Sequence, residues 1–128
     1  MLYYIHNGGK MKQDYWDQKF DDLNKKHWCG ELKKIPVFTT YLSDAWGAYF
    51  HPSASAPNNE QEIYLSTDMT TYERTNVLLH EMAHHYIFET FGDDFYHHHP
   101  KIWRDEMKRL GFTGNITMHR AKYKTRDE

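Results

Sequence analysis

The sequence lacks most features of secreted, membrane-spanning and nucleotide-binding proteins. Cys29 is its only cysteine, so it can form neither an internal disulfide nor a cysteine-rich zinc ribbon, and a reducing compartment is expected. No run approaches the roughly 20 apolar residues that cross a bilayer, and the first residues do not form a secretory signal. A phosphate-binding loop and the nucleophile elbow of serine hydrolases are also missing. These absences predict a cytoplasmic protein with no membrane partner.

The sequence also lacks a strong charge of one sign. Its 16 Lys and Arg residues oppose 18 Asp and Glu residues, which gives a formal net charge of -2. Dominant electrostatic binding to nucleic acid is therefore not expected, because such binding needs many cationic contacts to phosphates. A cluster of basic residues toward the C-terminus still allows weak contact with DNA. The cluster consists of Lys108, Arg109, Arg120, Lys122, Lys124 and Arg126.

Aromatic residues and histidines are, by contrast, abundant. Seven Phe, ten Tyr and four Trp residues occur among 128, and each large aromatic side chain buries on the order of 150–250 Å². Only 39% of the residues are apolar, so aromatic side chains must supply much of the core of a single domain. The chain also has ten histidines, and histidine is the commonest metal ligand. The spacing of these histidines along the sequence is therefore relevant to whether the protein binds a metal ion.

Hydrophobic spacing predicts an α+β domain with three helices and a three-stranded sheet. Trp16, Phe20 and Leu23 fall at i, i+4 and i+7, which makes one apolar stripe on a helix. The predicted elements are a helix over 14–26, strands over 35–42, 46–50 and 62–66, a helix over 71–91 and a helix from Pro100 that ends at Gly111. The predicted organisation is an N-terminal extension (1–13), one domain (14–112) and a basic C-terminal tail (113–128).

The helix predicted over 71–91 carries the pattern H-E-x-x-H at His80, Glu81 and His84. Residues four apart lie one turn apart on the same helix face, so both imidazoles can bind one metal ion. Zinc is the expected metal, because imidazole suits it and because it lowers the pKa of a bound water to about 7. Glu81 is offset by about 100° of helix rotation, from where its carboxylate can act as a general base. The adjacent His85 is expected to be a hydrogen-bonded neighbour rather than a ligand.

A catalytic zinc commonly takes three protein ligands and one water, and three consecutive histidines precede the last predicted helix. His97, His98 and His99 are all candidates for the third ligand. Helix phase favours His99, because at that position a side chain continues the apolar stripe of the last helix. The stripe consists of Trp103, Met107 and Leu110.

Most of the chain, over about 14–112, resembles the SprT-like metallopeptidase domain family. The matching segments keep the order and spacing of that family's helix, strands, metal motif and third-ligand segment. They are 20–32, 45–50, 62–66, 78–84 and 99–103. The resemblance implies a zincin-like fold, Glu81 as the catalytic base, and a zinc ligand set of His80, His84 and His99.

The leading hypothesis is a zinc-dependent endopeptidase with a protein or peptide substrate. An extended substrate segment can add as a strand along an exposed sheet edge, and the strands predicted over 46–50 and 62–66 are both candidates for that edge. Some members of the resembled family digest proteins crosslinked to DNA. The resemblance therefore makes DNA-associated proteins one candidate substrate class.

Two alternatives accompany this hypothesis. In the first, the zinc is structural and the chain is a non-catalytic scaffold or nucleic-acid-associated module, with His97 or His98 closing the site as a fourth ligand. Glu81 argues against this alternative, because a closed structural site has no use for a carboxylate beside an open position. In the second, the peptidase is latent until a partner or DNA opens its cleft. Three protein ligands on the metal would favour the enzyme, and four would favour the scaffold.

Overall fold

The computed structural model describes the backbone of residues 7–92 and 100–112, with side chains over 15–92 and 101–112. Within these ranges the chain forms three helices and one three-stranded sheet, which confirms the predicted α+β class. The elements are α1 (Asn7–Trp28), β1 (Val37–Thr40), β2 (Gly47–Phe50), β3 (Glu62–Ser66), α2 (Thr71–Phe91) and α3 (Pro100–Arg109). Of the helices in these ranges, none is both long and apolar enough to cross a membrane.

The sheet has the strand order β1-β3-β2, so the last strand in sequence is the central one. β1 runs parallel to β3, with Val37 opposite Ile63, and β2 runs antiparallel to β3, with Gly47 opposite Leu65. The two edges of the sheet are therefore β1 and β2. Of the two edges considered from sequence, 62–66 is wrong, because this strand is hydrogen-bonded on both sides.

The core lies between one face of the sheet and the helices. Its strand members are Val37, Ile63 and Leu65, all of which are fully buried. Trp16 and Phe20 come from the apolar stripe of α1 that the sequence predicts, and both are buried. The core members from α2, from α3 and from the residue directly after α3 are Val77, Leu78, Leu79, Met82, Ala83, Met107 and Leu110.

Helix α2, which carries the histidine motif, has well-defined ends that agree with the predicted bounds. Oγ1 of Thr70 accepts a hydrogen bond from the backbone N–H of Glu73 at 3.1 Å, and Oε1 of Glu73 accepts one from the N–H of Thr70 at 3.0 Å. This reciprocal pair is a capping box. At the other end Gly92 has a φ of 86°, which favours glycine, and its N–H donates to the carbonyl oxygen of Phe88.

Helix α1 begins earlier than predicted, at Asn7 rather than at residue 14. Residues 7–13 carry no apolar stripe, so their spacing gives no helix signal.

After α1 the chain turns back through Cys29 and Gly30, with φ of 57° and 77°. The side chain of the buried Asn24 holds the returning chain, because it bonds both the N–H and the carbonyl oxygen of Leu32.

Candidate metal centre

Helix α2 places the three residues of the histidine motif within little more than one turn. His80 and Glu81 are buried, with relative exposures of 7% and 3%, and His84 is half-buried. The two histidines project from one face of the helix toward α3. Glu81 lies on the adjacent face, which packs against strand β2.

The two imidazoles of the motif converge on one point. Nε2 of His84 lies 3.2 Å from Nε2 of His80, and the ring centroids are 4.9 Å apart. Two nitrogen ligands of a tetrahedral zinc, each about 2.0–2.1 Å from the metal, lie roughly 3.3 Å apart. The observed separation therefore fits a shared zinc ion. A hydrogen bond between the rings has a similar length, and a measurement of zinc content distinguishes the two.

Aromatic side chains enclose this pair of imidazoles. Trp103 of α3 stacks on His84, with ring centroids 4.2 Å apart and an interplanar angle of 18°, and meets His80 edge-on at 5.0 Å. Phe112, which follows α3, approaches His80 with a centroid distance of 6.1 Å. This packing restricts how the two rings can turn. A fixed ring orientation is favourable in a metal ligand, because less freedom is lost when the metal binds.

The carboxyl group of Glu81 is buried between α2 and strand β2. Burial raises the pKa of Glu81 from its ordinary value of 4.5 to about 8. A neighbouring cation would act in the opposite direction, because an opposite charge favours the ionised carboxylate. A carboxyl group under these two influences is suited to proton transfer near neutral pH.

Strand β2 approaches Glu81 closely because residue 47 has no side chain. A Cβ atom at Gly47 would lie 2.5 Å from Cγ1 of Val77, 3.1 Å from the carbonyl oxygen of Tyr64 and 3.2 Å from Oε2 of Glu81. All three separations are shorter than ordinary van der Waals contact, so a larger residue would displace the strand or the helix. Sequence reasoning did not single out Gly47.

A second group of side chains links β2 to α2 one turn beyond Glu81. His85 is fully buried, and its Nε2–H donates to the carbonyl oxygen of Lys33 at 2.7 Å. The hydroxyl of Tyr49 lies 3.2 Å from Nδ1 of His85 and 3.1 Å from Oε1 of Gln61, and it donates its one hydrogen to one of these two acceptors at a time. Burial lowers the pKa of His85, which favours its neutral form. His85 is therefore a hydrogen-bonded neighbour of the motif, as predicted, whereas Tyr49 was not predicted from the sequence as part of the site.

The predicted third ligand and its alternatives, His97, His98 and His99, lie outside the described residues, so the choice among them stays a prediction. Among the described side chains, over 15–92 and 101–112, no group of three or more His, Cys, Asp or Glu residues is arranged to hold a metal ion. Helix α3 begins at Pro100, directly after the three histidines in sequence. Its Trp103 contacts His84, so the first turns of α3 lie beside the motif.

Two members of the basic cluster considered for DNA contact, Lys108 and Arg109, belong to the described part of the chain. Lys108 is exposed near the end of α3. Arg109 donates hydrogen bonds to the carboxylate of Glu106 and to the carbonyl oxygen of His27. Several of its donors are therefore used within the fold. The remaining members lie at residues 120–126, beyond the described ranges.

Comparison with known proteins identifies one family. The model of the SprT-like family matches residues 16–124, which include all three strands, α2 and α3, and most of α1. The match also continues past Phe112 into the segment that the sequence predicts as a basic tail. It confirms the resemblance drawn from the sequence. No curated protein and no solved structure matches the chain.

Proposed function

Because the chain belongs to the SprT-like family, we propose that it is a zinc-dependent endopeptidase of zincin-like architecture. The observation that carries the proposal is the 3.2 Å separation of the Nε2 atoms of His80 and His84, beside the buried carboxyl group of Glu81. We assign zinc binding to His80, His84 and His99. The donor set fits the metal, because zinc favours imidazole nitrogen and a catalytic site takes three protein ligands.

The proposed catalytic role of Glu81 is that of general base and then general acid. Bound zinc would supply a Lewis acid that polarises a peptide carbonyl and acidifies a water molecule. Glu81 would accept the proton of the attacking water on a carboxylate oxygen and later donate it to the leaving amine. Its burial supports this role, because a carboxylate whose pKa is raised toward neutral pH is a stronger base than an ordinary carboxylate and accepts the proton of a water molecule more readily. Trp103 would keep the ring of His84 in place through their stacked contact.

We place the substrate along the free edge of strand β2. Among the described strands, β2 pairs only with β3, so its outer side offers backbone groups to an added strand. Gly47 brings the first residue of β2 next to Glu81, so a peptide paired with this edge would pass the carboxylate. The expected substrates are therefore proteins with an extended or unfolded segment. A substrate-analogue complex in which the peptide lies away from β2 would contradict this placement.

We include DNA-associated proteins among the candidate substrates. The support is the basic cluster, of which Lys108 is exposed on α3, because lysine side chains make favourable contacts with phosphates. Casein digestion with and without duplex DNA, at low and at moderate salt, tests this part of the proposal. Digestion that DNA leaves unchanged at both salt concentrations would remove DNA from the proposed function.

The experiment that tests the proposed site is elemental analysis of zinc per chain. It compares the wild type with His80→Ala, His99→Ala and Glu81→Gln, and uses His27→Ala as a control histidine without metal spacing. The wild type, Glu81→Gln and His27→Ala are expected to carry about one zinc each, and the two ligand variants much less. Casein digestion should be lost in Glu81→Gln although its zinc is retained.

Each departure from this result has a defined meaning. A wild type without zinc would overturn the metallopeptidase proposal. Full zinc in His99→Ala would move the third ligand to His97 or His98. Zinc in the wild type without any digestion, together with a fourth protein ligand in the metal's coordination shell, would favour the non-catalytic scaffold instead.

A further inference from the structure

A buried carboxylate ties helix α3 to the end of helix α1. Glu106 is 7% exposed, and its Oε2 accepts a hydrogen bond from Nε1–H of Trp28 at 3.0 Å. Arg109 donates two more bonds to this carboxylate, from Nε to Oε1 at 2.9 Å and from Nη2 to Oε2 at 2.7 Å. We name Trp28, Glu106 and Arg109 the Glu106 clamp. It joins residues that are 78 positions apart in the sequence.

Arg109 also connects the clamp to residues at the end of α1. Its Nη1 donates to the carbonyl oxygen of His27 at 2.7 Å, and its guanidinium lies 5.5 Å from the centre of the Trp28 ring. The hydrogen bonds to Glu106 raise the pKa of Arg109 above its already high value. Bidentate, charge-assisted hydrogen bonds of this kind fix orientation as well as distance. Because Glu106 and Arg109 both belong to α3, these two bonds fix the carboxylate on α3. The bonds from Trp28 to Glu106 and from Arg109 to the carbonyl oxygen of His27 then tie α3 to the end of α1.

The clamp also contacts the helix that carries the histidine motif. The ring of Trp28 packs against Tyr86 of α2, with a centroid distance of 6.1 Å, and Tyr86 follows His84 by two residues. On α3, Trp103 precedes Glu106 by three residues, so both lie on neighbouring positions of one helix face. Trp103 is the side chain that stacks on His84. One helix of 10 residues thus carries the clamp carboxylate and the ring that covers the histidines.

A displacement of α3 would be transmitted to the metal centre. Its other buried contacts come from apolar side chains such as Met107 and Leu110, and apolar burial is not directional. Hydrogen bonds are directional and weaken steeply when misaligned. The clamp therefore determines the position of α3 along its own axis, which the apolar contacts alone do not determine. A slip of α3 by one residue, about 1.5 Å along its axis, would break the clamp and shift Trp103 on His84 together.

We infer that the Glu106 clamp is a positioning device for the zinc centre. It holds α3 in register with α2, so that Trp103 fixes the ring of His84 before the metal binds. The clamp residues themselves are positioning residues and are not assigned as ligands. This inference rests on the proposed function, because it presupposes a zinc site at the motif.

Two clamp variants and one matched control test the inference. Glu106→Gln removes the charge at nearly constant volume, and Trp28→Phe removes the indole N–H. The control, Asp105→Asn, breaks the exposed ion pair between Lys101 and Asp105 on the same helix, where Nζ and Oδ2 are 2.8 Å apart. Zinc affinity is measured by competition with a chromogenic chelator, at a temperature well below the unfolding midpoint of each metal-free protein. The absorption spectrum of bound Co²⁺ serves as a second readout of ligand geometry.

Groups that orient metal ligands commonly change metal affinity by about 10–100-fold. Glu106→Gln is expected to weaken zinc binding within that range and to alter the Co²⁺ spectrum. Trp28→Phe should weaken it by a smaller factor, because the carboxylate keeps its charge and its bonds to Arg109, and Asp105→Asn should leave it unchanged. A clamp with only a structural role would instead lower the unfolding midpoint of the metal-free protein and leave affinity and spectrum as in the wild type. That outcome would overturn the inference, and Trp28→Phe decides by the same criterion if Glu106→Gln does not fold.

The same titration separates this inference from the proposed function. A wild type that binds no zinc would overturn both. A wild type that binds zinc, together with clamp variants of equal affinity, would overturn the clamp inference alone and leave the zinc site intact.

Discussion

The Cβ position of Gly47 lies 3.2 Å from Oε2 of Glu81, so an edge strand and the motif helix meet at the carboxyl group of the histidine motif. The strand and the helix can approach this closely because residue 47 is glycine and has no side chain to separate them. Strand β2 is also an edge strand of the sheet. The contact of Gly47 with Glu81 joins the two parts that the proposed chemistry needs, namely a base and a surface on which an extended peptide can pair.

We predict that Gly47→Ala destabilises the protein by about 1–3 kcal/mol, because the added methyl group overlaps Cγ1 of Val77 and must displace β2 or α2. Urea denaturation of the metal-free protein measures the change. Peptidase activity should fall by more than the loss of folded protein explains, because the displacement occurs beside Glu81.

Ala48→Ser is the matched control for this substitution. Ala48 is the next residue of β2 and points to the opposite face of the sheet, beside Tyr64. Its substitution should change the free energy of unfolding by about 0.5 kcal/mol or less. Equal stabilities of Gly47→Ala and the wild type would show that the strand can move away from Glu81 without cost.

The raised pKa of Glu81 predicts a pH-dependent stability of the metal-free protein. The folded-state pKa of about 8 exceeds the ordinary value of 4.5, so the folded state binds more protons than the unfolded state between these values. Stability should therefore fall as the pH rises from about 4.5 to about 8, by up to about 4 kcal/mol. Glu81→Gln cannot ionise and should be more stable than the wild type at pH 9, with little difference at pH 4.

Glu60→Gln serves as the control, because Glu60 is an exposed carboxylate in the loop before β3. It should leave the pH profile of the free energy of unfolding unchanged. Saturating zinc should reduce the pH dependence in the wild type, because a cation favours the ionised carboxylate. A wild-type profile that is flat between pH 5 and 8 without metal would contradict the burial of an ionisable Glu81.

The parts of the fold that follow from local signals could be predicted from the sequence. The bounds of α2 agree with prediction, because apolar residues recur at helical spacing and because a residue with left-handed φ, Gly92, ends the helix. The strand 62–66 also agrees, since turn residues flank a short β-branched and aromatic run. The early start of α1 was missed, because residues 7–13 offer no amphipathic pattern.

The order of the strands depends on contacts that no local pattern contains. The central position of β3 follows from its pairing with both β1 and β2. Ile63 and Leu65 are both fully buried, whereas each edge strand has one buried position, at its start. Two inward aliphatic residues at alternate positions were the available signal for a central strand. The sequence gives no comparable signal for the approach of Gly47 to Glu81.

The contacts of the site also divide into those that spacing along one helix predicts and those that join separate helices. The placement of His80, Glu81 and His84 on one helix follows from spacing, because 3.6 residues per turn determine which side chains share a face. The contact of Trp103 with His84 and the clamp on Glu106 join separate helices. Such contacts depend on the packing angle between helices, which hydrophobic periodicity does not specify.

We predict that Tyr49→Phe destabilises the protein by about 1–2 kcal/mol. The substitution removes the hydroxyl that lies within hydrogen-bond distance of Nδ1 of His85 and Oε1 of Gln61, and with it the one hydrogen bond that this hydroxyl donates to them. Burial raises the pKa of the Tyr49 hydroxyl, so the group stays protonated through the neutral range. Tyr41→Phe is the control, because Tyr41 is 63% exposed. Equal losses in the two variants would argue that the link between β2 and α2 contributes nothing specific.

We predict that Asn24→Ala destabilises the protein by about 2–4 kcal/mol, because it leaves the N–H and the carbonyl oxygen of Leu32 without their side-chain partner. Both hydrogen bonds are buried, at 2.9 and 3.0 Å, and they hold the chain that returns from α1 toward the sheet. Asn24→Asp keeps the acceptor for the N–H of Leu32 but places a second carboxylate oxygen against the carbonyl, so it should be comparably unstable at pH 7 and recover in part at pH 4.

Asn58→Ala is the control for this pair, because Asn58 is exposed in the loop between β2 and β3. It should alter the free energy of unfolding by about 0.5 kcal/mol or less. Thermal and urea denaturation at the two pH values give all of the required comparisons. If Asn24→Asp were as stable as the wild type at pH 7, the carbonyl of Leu32 would have found another donor, and the loop after α1 would not depend on Asn24.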